Sequence, residues 1–411
     1  MSSAAQFSWD EMVLLDDLVS SGEVKLGRGN IISKIDIRNN PGTYPIYSSS
    51  SKNQGKMGEY GSFMFDEELI SWSVDGGGYV FYRPKHKFSV TNVSGYMRLT
   101  GEWDYKFVAY VLQFQHEYFS FDYQTKAHPS VIREFYLFPR IPLPEQQKIA
   151  AILSSVDDVI EKTRAQIDKL KDLKTGMMQE LLTKGIGHTA FKGSPMGRIP
   201  EGWPHFELRD LTLVITKGTT PTTGGDSYTD SGINFIKVEC INKSGFVDSK
   251  KFSFIDSETH RKLSRSILHE GDILITIAGA TVGKLAIVKK EHLPANTNQA
   301  LAIVRVDESK VLRDFVYYWL QSGYIKSSID GVQTVGAQPN LSLSQIGDFN
   351  IFLPGIEEQK AIVSSLSSLD LLIAGAQRKM SAVEYLKKSL MQDLLTGKVR
   401  VNVDNKENAV A

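Results

Sequence analysis

Two long stretches of the chain place an apolar residue at every third or fourth position. The first stretch covers about residues 144–184 and the second about residues 355–398. Alternating steps of three and four are typical of a coiled-coil seam. Each stretch therefore predicts a helix of about 39 residues, or about 58 Å at 1.5 Å per residue. The predicted seam residues are Ile149, Leu153, Val156, Ile160, Ile167, Leu170, Leu173, Met177 and Leu181 in the first helix, and Ile362, Leu366, Leu369, Ile373, Met380, Val383, Leu386, Leu390 and Leu394 in the second.

The two stretches are copies of each other. Leu153 aligns with Leu366, and Ile160 aligns with Ile373, at a constant offset of 213 residues. An apolar seam on a long helix needs a partner, so the simplest arrangement packs the two helices side by side and antiparallel. The alternative is that each helix covers only its own globular domain.

A globular segment precedes each helix, so the chain is a tandem repeat of domain plus helix. Alternating runs at 69–74 and 273–277 predict strands, and 107–113 and 315–321 predict short amphipathic helices. We expect a mixed α+β fold in which two globular domains are joined by two long antiparallel coiled-coil helices with pseudo-two-fold symmetry. The expected parts are a first domain (1–143), a first spacer helix (144–184), a linker (185–204), a second domain (205–354), a second spacer helix (355–398) and a tail (399–411).

Composition narrows the class of protein. The 411 residues are 41% hydrophobic and 23% charged, which is typical of a globular protein, and the formal net charge is zero. One cysteine, Cys240, cannot form an internal disulfide and fits a reducing cytoplasm. The first residues do not resemble a signal peptide, and no apolar run reaches the ~18 residues of a membrane span. Residues 279–284 resemble a phosphate loop but lack its spacing, so we expect a strand-to-strand turn there.

Basic, aromatic and amide residues cluster in presumptive loops of both domains. Lysine and arginine contact phosphates, and asparagine, glutamine, arginine and histidine can read base edges. The alternative for any one of them is an ordinary solvated surface. The candidates for DNA contact are Lys25, Arg28, Tyr82, Arg83, Lys85, His86, Lys87, Tyr123, Lys126 and His128 in the first domain, and Lys217, Thr219, Thr220, Lys250, Lys251, Lys284, Asn296, Asn298, Gln299, Gln338 and Asn340 in the second.

The combination of motifs resembles the specificity subunit of type I restriction-modification systems. The resemblance is carried by residues 193–203, by the paired passages 143–148 and 353–360, and by the helix endings 178–183 and 391–396. It implies a non-enzymatic subunit that binds double-stranded DNA, each domain reading one half of a bipartite asymmetric site. It also implies two methyltransferase subunits and restriction/translocase subunits as partners, in the cytoplasm of a prokaryote. S-adenosylmethionine would be bound by the methyltransferase, and this chain would hold no cofactor or metal.

Two other functions stay open from the sequence. One is an interaction scaffold that carries two ligand-binding domains on a coiled coil and does not bind DNA. The other is a fused enzyme with a concealed nuclease or methyltransferase site. DNA binding that weakens strongly with salt would favour the specificity subunit over the scaffold.

Overall fold

The computed structural model describes residues 7–75, 77–119, 121, 126–242, 244–279, 281–332 and 340–403. The chain forms two compact units, residues 1–165 with 377–411 and residues 166–376. Each unit contains one globular domain, a segment of the first long helix and a segment of the second.

The first unit is built on a six-stranded sheet. Its elements are β1 (Met12–Leu14), α1 (Leu15–Ser20), β2 (Val24–Arg28), α2 (Lys34–Asn39), β3 (Tyr44–Tyr47), β4 (Lys56–Tyr60), β5 (Phe65–Ser73), β6 (Val80–Val90), β7 (Ser94–Leu99), α3 (Tyr105–His116), α4 (Pro129–Ile132), β8 (Leu137–Pro139) and the first part of α5 (Leu143–Lys184). The strand order is β2-β7-β5-β6-β3-β4, antiparallel except where β3 runs parallel to β6, and β1 pairs separately with β8. Ile70 and Trp72 of β5 pack in the same core as Phe107 of α3.

The second unit has smaller sheets. Its elements are β9 (Phe191–Ser194), β10 (Gly197–Pro200), β11 (His205–Glu207), β12 (Thr212–Lys217), β13 (Ile233–Ile236), β14 (Ser253–Ile255), α6 (Ser257–Lys262), β15 (Ile273–Thr276), β16 (Leu285–Ile287), β17 (Ala295–Thr297), β18 (Leu301–Val306), α7 (Arg313–Leu320), α8 (Gly323–Val332), α9 (Leu343–Gly347), β19 (Asn350–Phe352) and the first part of α10 (Ile356–Leu395). The sheets are β12-β18-β15-β16, β14-β13-β17, β10-β9 and β11-β19.

The predicted strands and short helices are present as β5, β15, α3 and α7. The segment at 279–284 connects β15 to β16, as expected for a strand-to-strand turn, with Ala280 outside the described residues. The expected linker is less irregular than its glycines and prolines suggested. It contains the hairpin β9–β10, in which Ile199 is fully buried and Gly197 adopts φ +99° just after the turn.

The long helices run antiparallel to each other inside both units. In the first unit, Ile149 and Leu153 of α5 share a core with Leu394 of α10, and Asp157 pairs with Lys387 at 2.7 Å. In the second, Leu182 of α5 lies in one core with Ile362 and Leu366 of α10, and Lys174 pairs with Asp370 at 2.7 Å. The beginning of each helix thus lies beside the end of the other, which confirms mutual pairing. The same residues also pack in the domain cores, and each helix contributes to the core of both units, so the alternative in which each helix covers only its own domain is wrong.

Two predicted seam residues are wrongly placed. Leu173 and Leu386, which are equivalent positions in the repeat, are 51% and 50% exposed, so neither side chain is buried between the two helices. The remaining seam residues are buried or half-buried: Val156, Ile160, Ile167, Leu170, Met177, Leu181, Leu369, Ile373, Met380, Val383 and Leu390. Among the described residues, we find no helix that combines the length and apolarity needed to cross a bilayer.

Candidate functional site

Arg83, expected at a DNA surface, lies inside the first domain and is only 1% exposed. The register of β6 against β5 shifts between Glu67 and Leu69, and beside this bulge the Arg83 side chain turns inward. Its Nε donates to Ser71 Oγ at 2.8 Å and one Nη donates to the Gln54 carbonyl at 2.7 Å. Its guanidinium also lies 3.6 Å from the centroid of the Tyr47 ring. Burial lowers the pKa of Arg83 to about 10, so the group remains charged at neutral pH. Arg83 is therefore a buried structural residue that hydrogen-bonds the backbone of a surface loop, and the expectation that it contacts DNA is wrong.

The neighbours of Arg83 on β6 are placed closer to the expectation. Lys85 and Lys87 are exposed, and Lys87 Nζ lies 4.9 Å from the centroid of the Phe63 ring. His86 is half-buried, with Nε2 3.2 Å from the Tyr47 hydroxyl. Tyr82 is half-buried and donates to Glu68 at 2.5 Å. The exposed cations of this strand are thus Lys85 and Lys87.

The other first-domain candidates are dispersed. Lys25 and Arg28 are exposed on β2, and Arg28 donates to the Asn92 carbonyl. Lys126 pairs with Asp75 at 3.0 Å. His128 caps α4, since its Nδ1 accepts from the Ser130 backbone N–H at 3.3 Å. Tyr123 lies outside the described residues.

In the second domain, two polar loops meet. Gly218 follows β12 and approaches the Thr297 carbonyl so closely that an added Cβ would lie 2.1 Å from it. This approach brings Thr220 into a hydrogen bond with Gln299, and Thr219 accepts from Arg265 at 3.2 Å. Lys217 is exposed at the end of β12.

Sequence reasoning missed the basic residues beside these loops. His260, Arg261, Lys262 and Arg265 lie on α6 and the turn after it, and the last of them contacts Thr219. Four basic residues within six positions are the sequence signal that indicates this surface. We call Lys217, Thr219, Thr220, Arg265 and Gln299 the second-domain loop cluster.

The remaining second-domain candidates lie apart from the loop cluster or inside the protein. Asn296 is fully buried, and its amide donates to Ser266 Oγ at 2.9 Å and to the Leu263 carbonyl at 3.2 Å. It is therefore a structural residue, and its expected role as a base reader is wrong. Lys284 is half-buried and donates to the Ile241 carbonyl at 3.2 Å.

The last candidates lie in turns. Lys250 and Lys251 are exposed, and the backbone N–H of Lys250 is capped by Asp248. Asn298 caps the backbone N–H of Ala300 at 3.3 Å. Asn340 is exposed and forms an isolated antiparallel β-bridge with Ala278. Gln338 lies outside the described residues.

In each unit, a tyrosine of the domain, an aspartate of one long helix and a lysine of the other form a connected group. In the first unit Tyr110 donates to Asp157 of α5 at 2.6 Å, and Lys387 of α10 pairs with the same carboxylate. In the second unit Tyr318 donates to Asp370 of α10 at 2.8 Å, and Lys174 of α5 completes the group. We call these two groups the Tyr–Asp–Lys triads. Burial is the main cause that raises the pKa of both tyrosines, and the hydrogen bond to the carboxylate is the second. Each hydroxyl therefore stays protonated and can donate.

Exposed apolar side chains also repeat on the helices. Val159 and Leu372 are equivalent positions in the repeat, as are Leu173 and Leu386, and all four are exposed. Val159 and Leu386 lie next to the Asp157–Lys387 ion pair in sequence, and Leu173 and Leu372 lie next to Lys174–Asp370. Each unit also has one further exposed apolar residue, whose equivalent in the other helix is an aspartate: Tyr385 aligns with Asp172, and Leu371 aligns with Asp158. The first-unit patch is Val159, Tyr385 and Leu386, and the second-unit patch is Leu173, Leu371 and Leu372.

No metal-binding group of three or more histidine, cysteine, aspartate or glutamate side chains occurs in the part of the chain that the structure describes. The geometry described above offers cations, amides and hydroxyls at loops, with apolar patches on the helices. Such groups suit the binding of a polyanion and of protein partners.

Comparisons with known proteins agree with this picture. The sequence profile of the type I restriction modification DNA specificity domain matches residues 11–172 and again residues 200–385. The type I restriction enzyme MjaVIII specificity subunit of Methanocaldococcus jannaschii is 28% identical over 340 residues, which cover 81% of this chain and 79% of that protein. A putative type I specificity subunit of Mycoplasma pneumoniae is 25% identical over 379 residues, covering 90% and 93% of the two chains.

A solved structure supports the fold. The crystal structure of a type I restriction-modification S subunit from M. genitalium superposes with a TM-score of 0.60, covering 94% of this chain and 96% of the other at 16% identity. At this identity the likeness concerns the fold alone.

Proposed function

Because the chain belongs to the type I restriction modification DNA specificity family, we propose that it reads a two-part DNA site, with one globular domain for each part. Its relatives are specificity subunits of type I restriction enzymes, and it is a DNA-recognition subunit, not a catalytic one. DNA and the methyltransferase and restriction subunits of such a system are its partners. The proposal adds how the reading and the docking are divided over the chain.

The two domains differ in their sheets but are attached to the long helices in the same way, and this combination supports a DNA site with two different halves. In both domains a strand from the beginning of the domain pairs with a strand just before the long helix, β1 with β8 in the first and β11 with β19 in the second. Both carry a triad. The sheets between these shared features differ in strand number and order. Two different domains, each connected to the helices by an equivalent triad, fit a DNA site whose two halves differ in sequence.

The repeated apolar patches carry the proposal that two copies of the methyltransferase subunit bind. Exposed leucines on a charged helix are where protein partners dock, since burial of apolar area drives association. Two members of each patch occupy equivalent helix positions, Val159 with Leu372 and Leu386 with Leu173, so we infer that a similar partner surface contacts both patches. We propose that this partner binds S-adenosylmethionine and modifies adenine, and that this chain holds no cofactor itself.

Patch variants test the number of partners. The chain is co-expressed with the methyltransferase encoded beside it, and native mass spectrometry gives the composition of the complex. We expect two methyltransferase copies with the parent chain, one copy with Leu372→Glu or Leu386→Glu, and none with the double variant. Leu213→Glu, at an exposed strand position that is 65% accessible, is the matched control and should keep both copies. Two copies retained by the double variant would contradict the docking proposal.

Methylation mapping tests the reading. Genomic DNA from cells that express the complex should carry modified adenines in one bipartite motif, one in each half. Replacement of residues 205–354 by the corresponding segment of a relative should change only one half. DNA binding that is insensitive to salt, or modification without a recurring motif, would favour the scaffold alternative.

A further inference from the structure

A strained loop stands above the buried Arg83 in the first domain. Among the described residues, Asn53 and Gln54 are the two non-glycine residues with positive φ, at +48° and +49°, and they are consecutive. Gly55 follows at φ +80°. Side chains with a Cβ avoid this conformation, and where it persists the surroundings impose it. Such strain is concentrated at functional sites, so the loop between β3 and β4 calls for a role.

The surroundings that impose the conformation are visible. Arg83 donates to the Gln54 carbonyl at 2.7 Å, and the Ser48 backbone N–H donates to the Gly55 carbonyl at 2.8 Å. A Cβ on Gly55 would lie 2.9 Å from the Ser48 carbonyl, so the two ends of the loop are in close contact. The backbone is thus fixed from below by a charged side chain that has no carboxylate partner among its described contacts.

The same conformation exposes the side chains. Asn53 and Gln54 are both exposed, and Lys52 is exposed beside them. Asparagine and glutamine amides can donate and accept at the same time, and they match the N6/N7 edge of adenine in the major groove. Lysine contacts phosphate without regard to sequence. A rigid backbone that carries two amides and a cation has the chemistry of a base-reading element.

We propose that the loop of residues 48–56 reads bases for the first domain, with Asn53 and Gln54 contacting base edges and Arg83 as the positioning residue. This inference rests on the proposed function, because it assumes that the first domain reads one half of the DNA site. It replaces the sequence-based expectation that Arg83 itself contacts DNA.

The test uses the complex with its methyltransferase and duplexes that carry each single base-pair change in the motif mapped for the parent protein. The Asn53→Gly and Gln54→Gly double variant removes both amides while it relieves the strained backbone, so the melting temperature should stay equal or rise. Discrimination at one or two adjacent base pairs of one half should fall by about 5- to 150-fold for each lost bidentate contact. Discrimination in the other half should not change.

Three further variants separate reading from folding. Gln113→Ala removes an exposed amide from α3, which has ordinary helical geometry, and should leave discrimination unchanged. Lys52→Ala should weaken binding to all sequences alike and reduce the salt slope by about one. Arg83→Met should lose discrimination at the same base pairs as the glycine variant, with Arg83→Lys recovering part of it, whereas a purely structural role would weaken all sequences equally.

The outcomes are distinguishable. A parent complex that modifies no bipartite motif contradicts the proposed function itself. If the parent has such a motif and the glycine variant keeps the same preference at every position, the loop does not read bases. A uniform loss of affinity in the glycine variant, or poorer folding than the parent, also overturns the inference.

Discussion

Removal of one hydroxyl measures what a Tyr–Asp–Lys triad contributes. Tyr318 is 5% exposed and donates to Asp370 at 2.8 Å. A hydrogen bond to a charged group contributes about 1.5–3 kcal/mol. Asp370 keeps Lys174 as a partner, and its side chain is 40% exposed, so water can reach the freed oxygen. The loss therefore lies at the low end, and we expect Tyr318→Phe to lower the free energy of unfolding of the second unit by about 1.5 kcal/mol.

Calorimetry of the purified complex gives the measurement. For a unit of this size, about 1.5 kcal/mol corresponds to a fall of about 3–6 °C in the melting temperature. Hydrogen exchange should accelerate in α7 and in the adjoining segment of α10. Tyr317→Phe is the matched control, because its half-buried hydroxyl donates to no atom among the described residues, and it should change stability by less than about 0.5 kcal/mol. Equal effects of Tyr318→Phe and Tyr317→Phe would refute the reasoning.

Four other predictions follow from the helices and the first unit. Leu153→Ala, at a fully buried seam position, should cost about 2–5 kcal/mol, whereas Leu173→Ala, which is half-exposed, should cost less than about 0.5 kcal/mol by denaturant unfolding. Arg400→Met removes the bidentate bond to the buried Glu145 and should destabilise the first unit by about 1–2 kcal/mol, a reduced value because Arg400 is 52% exposed; an unchanged melting temperature would contradict it. Arg98 lowers the pKa of Glu67, so Arg98→Met should destabilise the protein at neutral pH and lose this effect as the pH falls below about 4.5, as measured by melting temperature against pH. Seven residues inserted into both helices, between Asp157 and Lys174 and between Asp370 and Lys387, should lengthen the gap in the mapped motif by about three base pairs, with both halves unchanged; altered bases would contradict a spacer role.

Periodic features were predictable from the sequence. The long helices and the strands at 69–74 and 273–277 were found because a buried face imposes its period on the residues, and the repeat of 213 residues aligned the two helices. The hairpin β9–β10 was missed because its glycines and prolines resemble those of a linker. The buried Ile199 and the packing of Met196 against the same core show that the segment belongs to that core.

The candidate site was harder to predict, because the residue types in a segment do not show whether each side chain points into the protein or towards solvent. The basic run around Arg83 suggested an exposed surface, and in a regular strand Arg83, Lys85 and Lys87 would share one face. The register shift against β5 breaks this alternation, so Arg83 is buried while Lys85 and Lys87 are exposed. Asn53 and Gln54 gave no signal, because their left-handed conformation is imposed by a contact with a residue about 30 positions away. Asn296 was misjudged for the same reason, since its burial depends on the partners Leu263 and Ser266.

The triads couple the spacing of matching residues in the two helices. In the first unit the aspartate comes from α5 and the lysine from α10, and in the second unit these origins are exchanged. Lys174 lies seventeen positions after Asp157, and Lys387 lies seventeen positions after Asp370. A length change in one helix alone would leave one aspartate without its lysine, whereas a matched change in both would preserve both triads. The sheets of the two units differ in strand number and order although the triad spacing is the same. The spacing of the helices can therefore stay constant while the sheets change.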